Sequence, residues 1–162
     1  MFDKSQDCMG IPLTLFDSHA HYDDERFDED RYEALQRAYD SGVKYIVDAA
    51  SDVESARKII SLAQEVSFVY AAVGIHPHNV VDVNDSTFSI LLDLTSDHKV
   101  VAIGEIGLDY YYDNSPRELQ RYWFSKQINL AKELNLPIIV HNRESHEDSL
   151  KIVKSEGARE VG

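Results

Sequence analysis

The sequence predicts an α/β fold built from parallel (β/α) units, and three observations predict it. Five short apolar runs alternate along the chain with five longer runs of helical periodicity. Strict alternation of strand and helix implies a parallel sheet with helices outside. Runs such as Val100-Val101-Ala102-Ile103 are continuously apolar, which suits strands covered on both faces.

The elements follow in order. The first strand is Leu13–Phe16, an apolar run, and the first helix spans Asp28–Ser41, with Gly42 where a helix C-terminal glycine belongs. The second strand is Val43–Asp48 and the second helix Asp52–Val66, where Ser51 and Glu54 fit a capping box. The third strand is Phe68–Val73 and the third helix Ser86–Leu94. The fourth strand is Val100–Gly104, followed by the longest helix, Pro116–Asn135. Ser115 and Glu118 fit a second capping box there, with Pro116 at the first helical position. Leu119, Trp123, Gln127, Leu130, Ala131 and Leu134 give that helix a buried stripe, with Trp123 as core. The fifth strand is Pro137–Val140 and the last helix Ser145–Ser155. Two closures satisfy this pattern: an open doubly wound sheet, or the first part of an eight-unit barrel. No G-x-G-x-x-G follows a strand, which weakens a dinucleotide-binding reading.

Composition sets the bounds. At 162 residues, with 43% hydrophobic and 28% charged residues, the chain is long enough for one globular domain. Residues 1–12 read as an N-terminal tail and 13–162 as one continuous unit, without repeats or linkers. No apolar stretch approaches a membrane span and no apolar signal segment opens the chain, so the expected location is the cytoplasm, away from membranes. Cys8, the single cysteine, reads as a reduced tail thiol. The net charge of -13 argues against a broadly basic nucleic-acid surface. An anionic substrate would have to be attracted locally, by metal ions or a few placed arginines.

In either closure, function gathers at the C-terminal ends of the strands. The first strand is followed by Asp17-Ser18-His19-Ala20-His21, and the second ends in the small, polar Asp48-Ala49-Ala50-Ser51. The third is followed by Gly74-Ile75-His76-Pro77-His78, the fourth ends in Gly104-Glu105-Ile106-Gly107-Leu108-Asp109, and His141-Asn142-Arg143 follows the fifth. A lone strand-end histidine is usually structural; histidine and carboxylate at successive strand ends point to a metal site. His19 and His21, two residues apart, can reach one ion. Glu105 is the natural bridging carboxylate and catalytic centre, with His141 serving a second ion. Two divalent ions are expected; imidazole suits zinc, whereas carboxylate and water suit magnesium or manganese.

Around this set, Asp17 reads as orienting an imidazole, or as a strand-end hydrogen-bond acceptor. His76 reads as a contact to a substrate oxygen, or as a structural loop residue. His78 reads as structural or peripheral. Arg143 reads as a bidentate phosphate clamp, or as the partner of a helix carboxylate. Asp109 reads as orienting a ligand or substrate, or as a turn residue. His98 and His146 read as exposed. The acidic run from Asp23 to Asp30 lacks the glycine and spacing of a calcium loop and reads as solvated. Tyr110, Tyr111 and Tyr112 can stack on a base or pack over the barrel rim.

Together the four motifs, Asp17-Ser18-His19-Ala20-His21, Gly74-Ile75-His76-Pro77-His78, Gly104-Glu105-Ile106-Gly107-Leu108-Asp109-Tyr110 and His141-Asn142-Arg143, resemble the TatD family of metal-dependent DNases. The resemblance covers nearly the whole chain after the tail. It implies a TIM-like (β/α)8 barrel of the amidohydrolase type, and a divalent-metal hydrolase of phosphodiester bonds, typically a deoxyribonuclease. By the same match, His19, His21, Glu105 and His141 would be metal ligands, with His76 and Arg143 near the substrate phosphate. The family pattern continues with a further strand-end histidine ligand and a late aspartate acting as general base, neither of which follows here. The expectation is therefore about five units of the barrel, with the C-terminal part missing and with association through the open barrel edges. Two alternatives to DNA cleavage accompany it. The same site would act on another ester or amide such as D-aminoacyl-tRNA, or the chain would be a non-catalytic metal-binding fragment.

Overall fold

The computed structural model describes residues 14–158. The tail 1–12 with its Cys8, the expected first strand residue Leu13, and residues 159–162 lie outside the described residues.

Among the described residues, five strands alternate with five helices. The strands are β1 (Leu15–Ala20), β2 (Val43–Ala49), β3 (Val69–Val73), β4 (Val100–Asp109) and β5 (Ile138–Arg143). The helices are α1 (Arg31–Asp40), α2 (Val53–Glu65), α3 (Asp85–Leu94), α4 (Arg117–Leu134) and α5 (His146–Ser155), with short 3-10 turns at Glu25–Phe27 and Pro77–Asp82. All four strand pairs are parallel and the sheet order is β1-β2-β3-β4-β5. Sequential order decides between the two closures. A doubly wound sheet reverses its winding at a switch point, whereas a barrel adds each strand beside the last. The chain forms five units of a partial TIM-like barrel.

Two apolar layers flank the sheet. Toward the helices, Ile59, Val73, Ile103, Ile106, Leu108, Phe124 and Ile128 are buried in one cluster. On the opposite face, Val47, Ala49, Ala72 and Ala102 form a smaller cluster with Tyr70, Val101 and Ile139. Trp123 is core, as its spacing predicts, and packs 5.6 Å from the Phe88 ring. No helix among the described residues is long and apolar enough to cross a membrane.

The strands outrun their sequence-predicted ends. β1 continues to Ala20, β4 to Asp109 and β5 to Arg143. Gly104, the expected last residue of the fourth strand, and Gly107, expected beyond it, both lie inside β4, where β5 comes too close for a side chain. A Cβ on Gly104 would lie 2.6 Å from the Ile139 Cβ. One on Gly107, at φ +142°, would lie 2.0 Å from the His141 carbonyl oxygen. His19, Glu105, Asp109, His141 and Arg143 therefore sit on strands rather than beyond them.

The caps differ as well. α1 begins at Arg31, three residues later than expected, while Gly42 takes the positive φ of 107° expected after its end. Asp52, not Ser51, caps α2 by accepting from the Ser55 amide at 2.9 Å. Pro116 stands at the cap of α4 rather than inside it, and Ser115 Oγ donates to the His78 carbonyl at 2.8 Å instead of capping. Gln127 lies on the buried stripe as read, but its role is polar: Oε1 accepts from the Ile75 amide at 2.7 Å and Nε2 donates to the Ile75 carbonyl at 3.2 Å. Buried peptide groups need partners, and Gln127 supplies both to the residue before His76.

Candidate metal centre

The centre is built on Glu105 of β4, whose side chain is 9% exposed. The Gly104–Glu105 peptide is cis. Glu105 Oε2 lies 3.2 Å from His19 Nε2 and 3.6 Å from His21 Nε2. Oε1 lies 3.0 Å from His141 Nδ1. One carboxylate thus divides its two oxygens between imidazoles from opposite edges of the sheet, β1 and β5. Two donor groups result, His19-His21-Glu105 and His76-Glu105-His141, each with ligand atoms within 4.8 Å of one another.

Hydrogen bonds set which ring nitrogens are free. A carbonyl only accepts, so the 3.0 Å contact of His21 Nδ1 with the Ala49 carbonyl places a proton on Nδ1. Nε2, facing Glu105, keeps its lone pair. His141 Nε2 meets Asp109 Oδ2 at 3.0 Å, leaving Nδ1, toward Glu105, as the nitrogen with a free lone pair once the ring is neutral. His76 differs: Nδ1 accepts from the His78 amide at 3.2 Å, so its neutral form carries the proton on Nε2. As drawn by these contacts, His76 is a donor rather than a third ligand.

Asp109, fully buried at the end of β4, ties these parts together. Its Oδ2 also meets His78 Nε2 at 2.8 Å, while Oδ1 accepts from the amides of Tyr111 and Tyr112 at 3.0 and 2.9 Å. Its own amide donates to Gln120 Oε1 at 2.8 Å, and Gln120 Nε2 returns a bond to its carbonyl at 3.2 Å.

The electrostatics follow from this crowding of acids and imidazoles. Burial works to raise the Glu105 carboxyl, but the His141 hydrogen bond and the nearby His19 and His76 outweigh it and hold it at about 2. Asp109 is likewise held at about 2, where the Tyr112 amide, His78 and His141 outweigh burial. Glu105 raises His141, which sits between two carboxylates. Burial dominates at His76 and, with the neighbouring His141, lowers it to about 4. Ionised carboxylates are the protonation state that a cation site needs, and a neutral His76 adds no positive charge beside it.

The expected residues are placed as follows. His19, His21, Glu105 and His141 converge, Asp109 contacts His141, and the His76 ring lies 4.4 Å from that of His141. Asp17 accepts from the His19 backbone amide at 3.2 Å; its hydrogen bond orients the strand end, not an imidazole. Arg143 is exposed and forms no ion pair among the described residues; its guanidinium lies 4.3 Å and 4.6 Å over the rings of Tyr111 and Tyr112. His98 and His146 are exposed as read. The acidic run after His21 is engaged locally: Asp24 pairs with Arg26, and Asp23 accepts from Ser55 Oγ at 2.6 Å.

Three side chains need correcting or adding. His78, read as structural or peripheral, is not peripheral: it reaches Asp109 because the turn after Pro77 folds it back toward β4, and its two-residue spacing from His76 was the available signal. Gln120 was not singled out at all. Asp48, read only as part of a small, polar strand end, is completely buried. Its Oδ1 accepts from the Tyr22 amide at 2.7 Å, directly after His21, while Oδ2 has no hydrogen-bond partner among the described residues. Burial raises this carboxyl to about 7.

Residues 16–162 match the family model described as TatD related DNase. The chain belongs to the TatD family. It is 44% identical over 148 residues to the uncharacterized metal-dependent hydrolase YabD of Bacillus subtilis, covering 91% of this chain and 58% of that protein. It is 33% identical over 141 residues to the 3'-5' ssDNA/RNA exonuclease TatD of Erwinia tasmaniensis, covering 86% and 54%. The crystal structure of the TatD homologue YjjV from Escherichia coli superposes with a TM-score of 0.83 at 33% identity, covering 90% of this chain and 57% of that one. The chain spans somewhat more than half the length of these TatD relatives.

Proposed function

We propose that the protein hydrolyses phosphodiester bonds with the help of two divalent cations, acting as a deoxyribonuclease of the TatD type. One observation carries this reading: Glu105 offers Oε2 to His19 and His21 and Oε1 to His141, the donor arrangement of a carboxylate bridging two ions. His19, His21 and Glu105 would hold one cation, with His141 and Glu105 holding the other. Zinc, magnesium and manganese all suit a mixed imidazole and carboxylate set. Such a pair, when bound, supplies an activated water and charge stabilisation for the leaving oxygen.

The chain's own residues account for the rest. Asp109 holds the His141 ring by Nε2, so that Nδ1 faces Glu105. His76 presents an Nε2 proton beside the same centre and donates it in a hydrogen bond to a substrate oxygen. Arg143 lacks a carboxylate partner among the described residues and meets the substrate phosphate. That unpaired guanidinium supports a substrate that carries a phosphate. The YabD relative is named only as a metal-dependent hydrolase, while the name of the Erwinia relative carries nuclease activity.

Parallel assays on single-stranded DNA and on D-aminoacyl-tRNA, each with divalent metal and with chelator, test the reading. Metal-dependent DNA hydrolysis is expected. Residues that merely support a metal ligand are worth about 10–100-fold, so Glu105→Ala is expected to lower turnover by more than about a hundredfold. Unchanged turnover in Glu105→Ala, or hydrolysis confined to the aminoacyl ester, rejects it.

A further inference from the structure

The segment after Asp109 carries a feature that the metal chemistry does not use. Of its three consecutive tyrosines, Tyr110 is spent on packing: its hydroxyl donates to Asp148 at 2.6 Å and accepts from Arg121 at 3.0 Å, and Arg117 lies 4.3 Å over its ring. Tyr111 and Tyr112 are not spent. They are 54% and 53% exposed, large values for aromatic side chains on a well-built loop. Their rings meet edge to face at 4.8 Å, and Arg143 sits over both.

This pair is fixed relative to the metal centre. Asp109 Oδ1 accepts the amides of both tyrosines while Oδ2 meets His141, so one buried carboxylate sets the distance between platform and ligands. The Tyr112 ring also lies 5.5 Å from the ring of His78, the other partner of Oδ2. A guanidinium stacked on an aromatic face keeps its N–H edge free, and that edge matches a phosphate. Aromatic rings next to a phosphate-binding edge accept a nucleobase, and an unpaired one reaches them without the cost of breaking base pairs and stacking. A chain of net charge -13 has little diffuse attraction for nucleic acid, so affinity must come from such local contacts.

We propose that Tyr111, Tyr112 and Arg143 form a platform that stacks the unpaired terminal nucleobase of a single-stranded substrate and holds its adjacent phosphate toward Glu105. This rests on the phosphodiesterase reading above and adds to it a requirement for a base, and a preference for an unpaired one. The platform residues position substrate; they take no part in proton transfer.

The test compares two single-stranded oligonucleotides of identical backbone, one ending in an ordinary 3′ nucleotide and one in an abasic 3′ residue. Base–aromatic stacking is worth roughly five- to a hundredfold per base, so the wild-type KM should be about tenfold higher for the abasic end, with kcat little changed. The pair Tyr111→Ala/Tyr112→Ala should raise KM for the ordinary end to the abasic value, so that the ratio falls to about one. Tyr111→Phe/Tyr112→Phe, which keeps the rings, should restore the ratio and show that the loop still folds. Equal KM values in the wild type, or a ratio unaltered in the alanine pair, overturn the platform while leaving metal-dependent hydrolysis in place. If neither oligonucleotide is hydrolysed, the nuclease reading falls on its own. Fluorescence anisotropy of the same two oligonucleotides then decides the platform: discrimination lost in the alanine pair supports it, and equal binding overturns it.

Discussion

Three buried carboxylates near the strand ends meet different fates, and the difference is their partners. Glu105 and Asp109 are surrounded by imidazoles and amides and stay ionised. Asp48 has one amide of Tyr22 at Oδ1 and, among the described residues, nothing at Oδ2, so burial dominates and lifts it from 3.8 to about 7, with Asp23 adding to the rise and His21 opposing it. Because the folded value lies above the unfolded one, the folded state binds the extra proton between pH 4 and 7. The cost of burying Asp48 is therefore absent below about pH 4, grows as pH rises, and is complete above about 7. Asp48→Asn is neutral throughout and removes that cost. Relative to wild type, the variant should gain on the order of a few kcal/mol of stability between pH 4 and pH 8. Urea unfolding of both proteins at several pH values measures this, and subtraction cancels the titrations they share. Parallel stability curves would show that Asp48 does not titrate in this range. The residue types at the centre were legible in the sequence, since His19, His21, Glu105 and His141 are recognisable by kind and position. Asp48 and His78 were not. Their roles depend on what lies across the fold, the loop after His21 for one and Asp109 for the other.

At the scale of elements, glycine was the misleading signal. Gly104 suggested that β4 ends early, yet it and Gly107 are what lets β5 press against it. Gly107 pairs with His141 in the β4–β5 register, so its missing side chain decides where the His141 backbone runs. Gly107→Ala would place a methyl group 2.0 Å from the His141 carbonyl at a φ that L residues rarely adopt. Overpacking costs about 1–3 kcal/mol, and here the strain falls on the strand that carries His141, a metal ligand on our reading. A lowered melting temperature together with weakened metal binding is expected, read by thermal unfolding and metal titration. Full metal affinity in a destabilised variant would separate the glycine from the centre. The helices contribute less visibly. Gln127 looks like a stripe residue at helical spacing and Gln120 lies outside the expected stripe, but each clamps the peptide of a strand-end segment, Ile75 for the first and Asp109 for the second. Helical periodicity shows that such a residue is buried, not what its amide will meet.

For the whole molecule, alternation of strand and helix was enough to read parallel (β/α) units, but not their closure. The sheet order β1 to β5 resolves it, and order is a property of long-range pairing that no local signal carries. The fold then explains why residues more than a hundred positions apart share one centre: sequential winding turns every strand end toward the same rim, so each unit adds a side chain to it. In this TatD-family chain the five units carry the Glu105 centre, and on our reading that centre binds divalent cations through both oxygens of one carboxylate. Titrating metal-free protein with manganese, while following free Mn²⁺ by electron paramagnetic resonance, tests that reading most directly. The wild type should deplete free Mn²⁺ from the solution until its sites are filled, and Glu105→Ala, which removes the oxygens common to both donor groups, should leave nearly all of it free. Coincident titration curves for the two proteins, or a wild type that binds no manganese, zinc or magnesium, would contradict it.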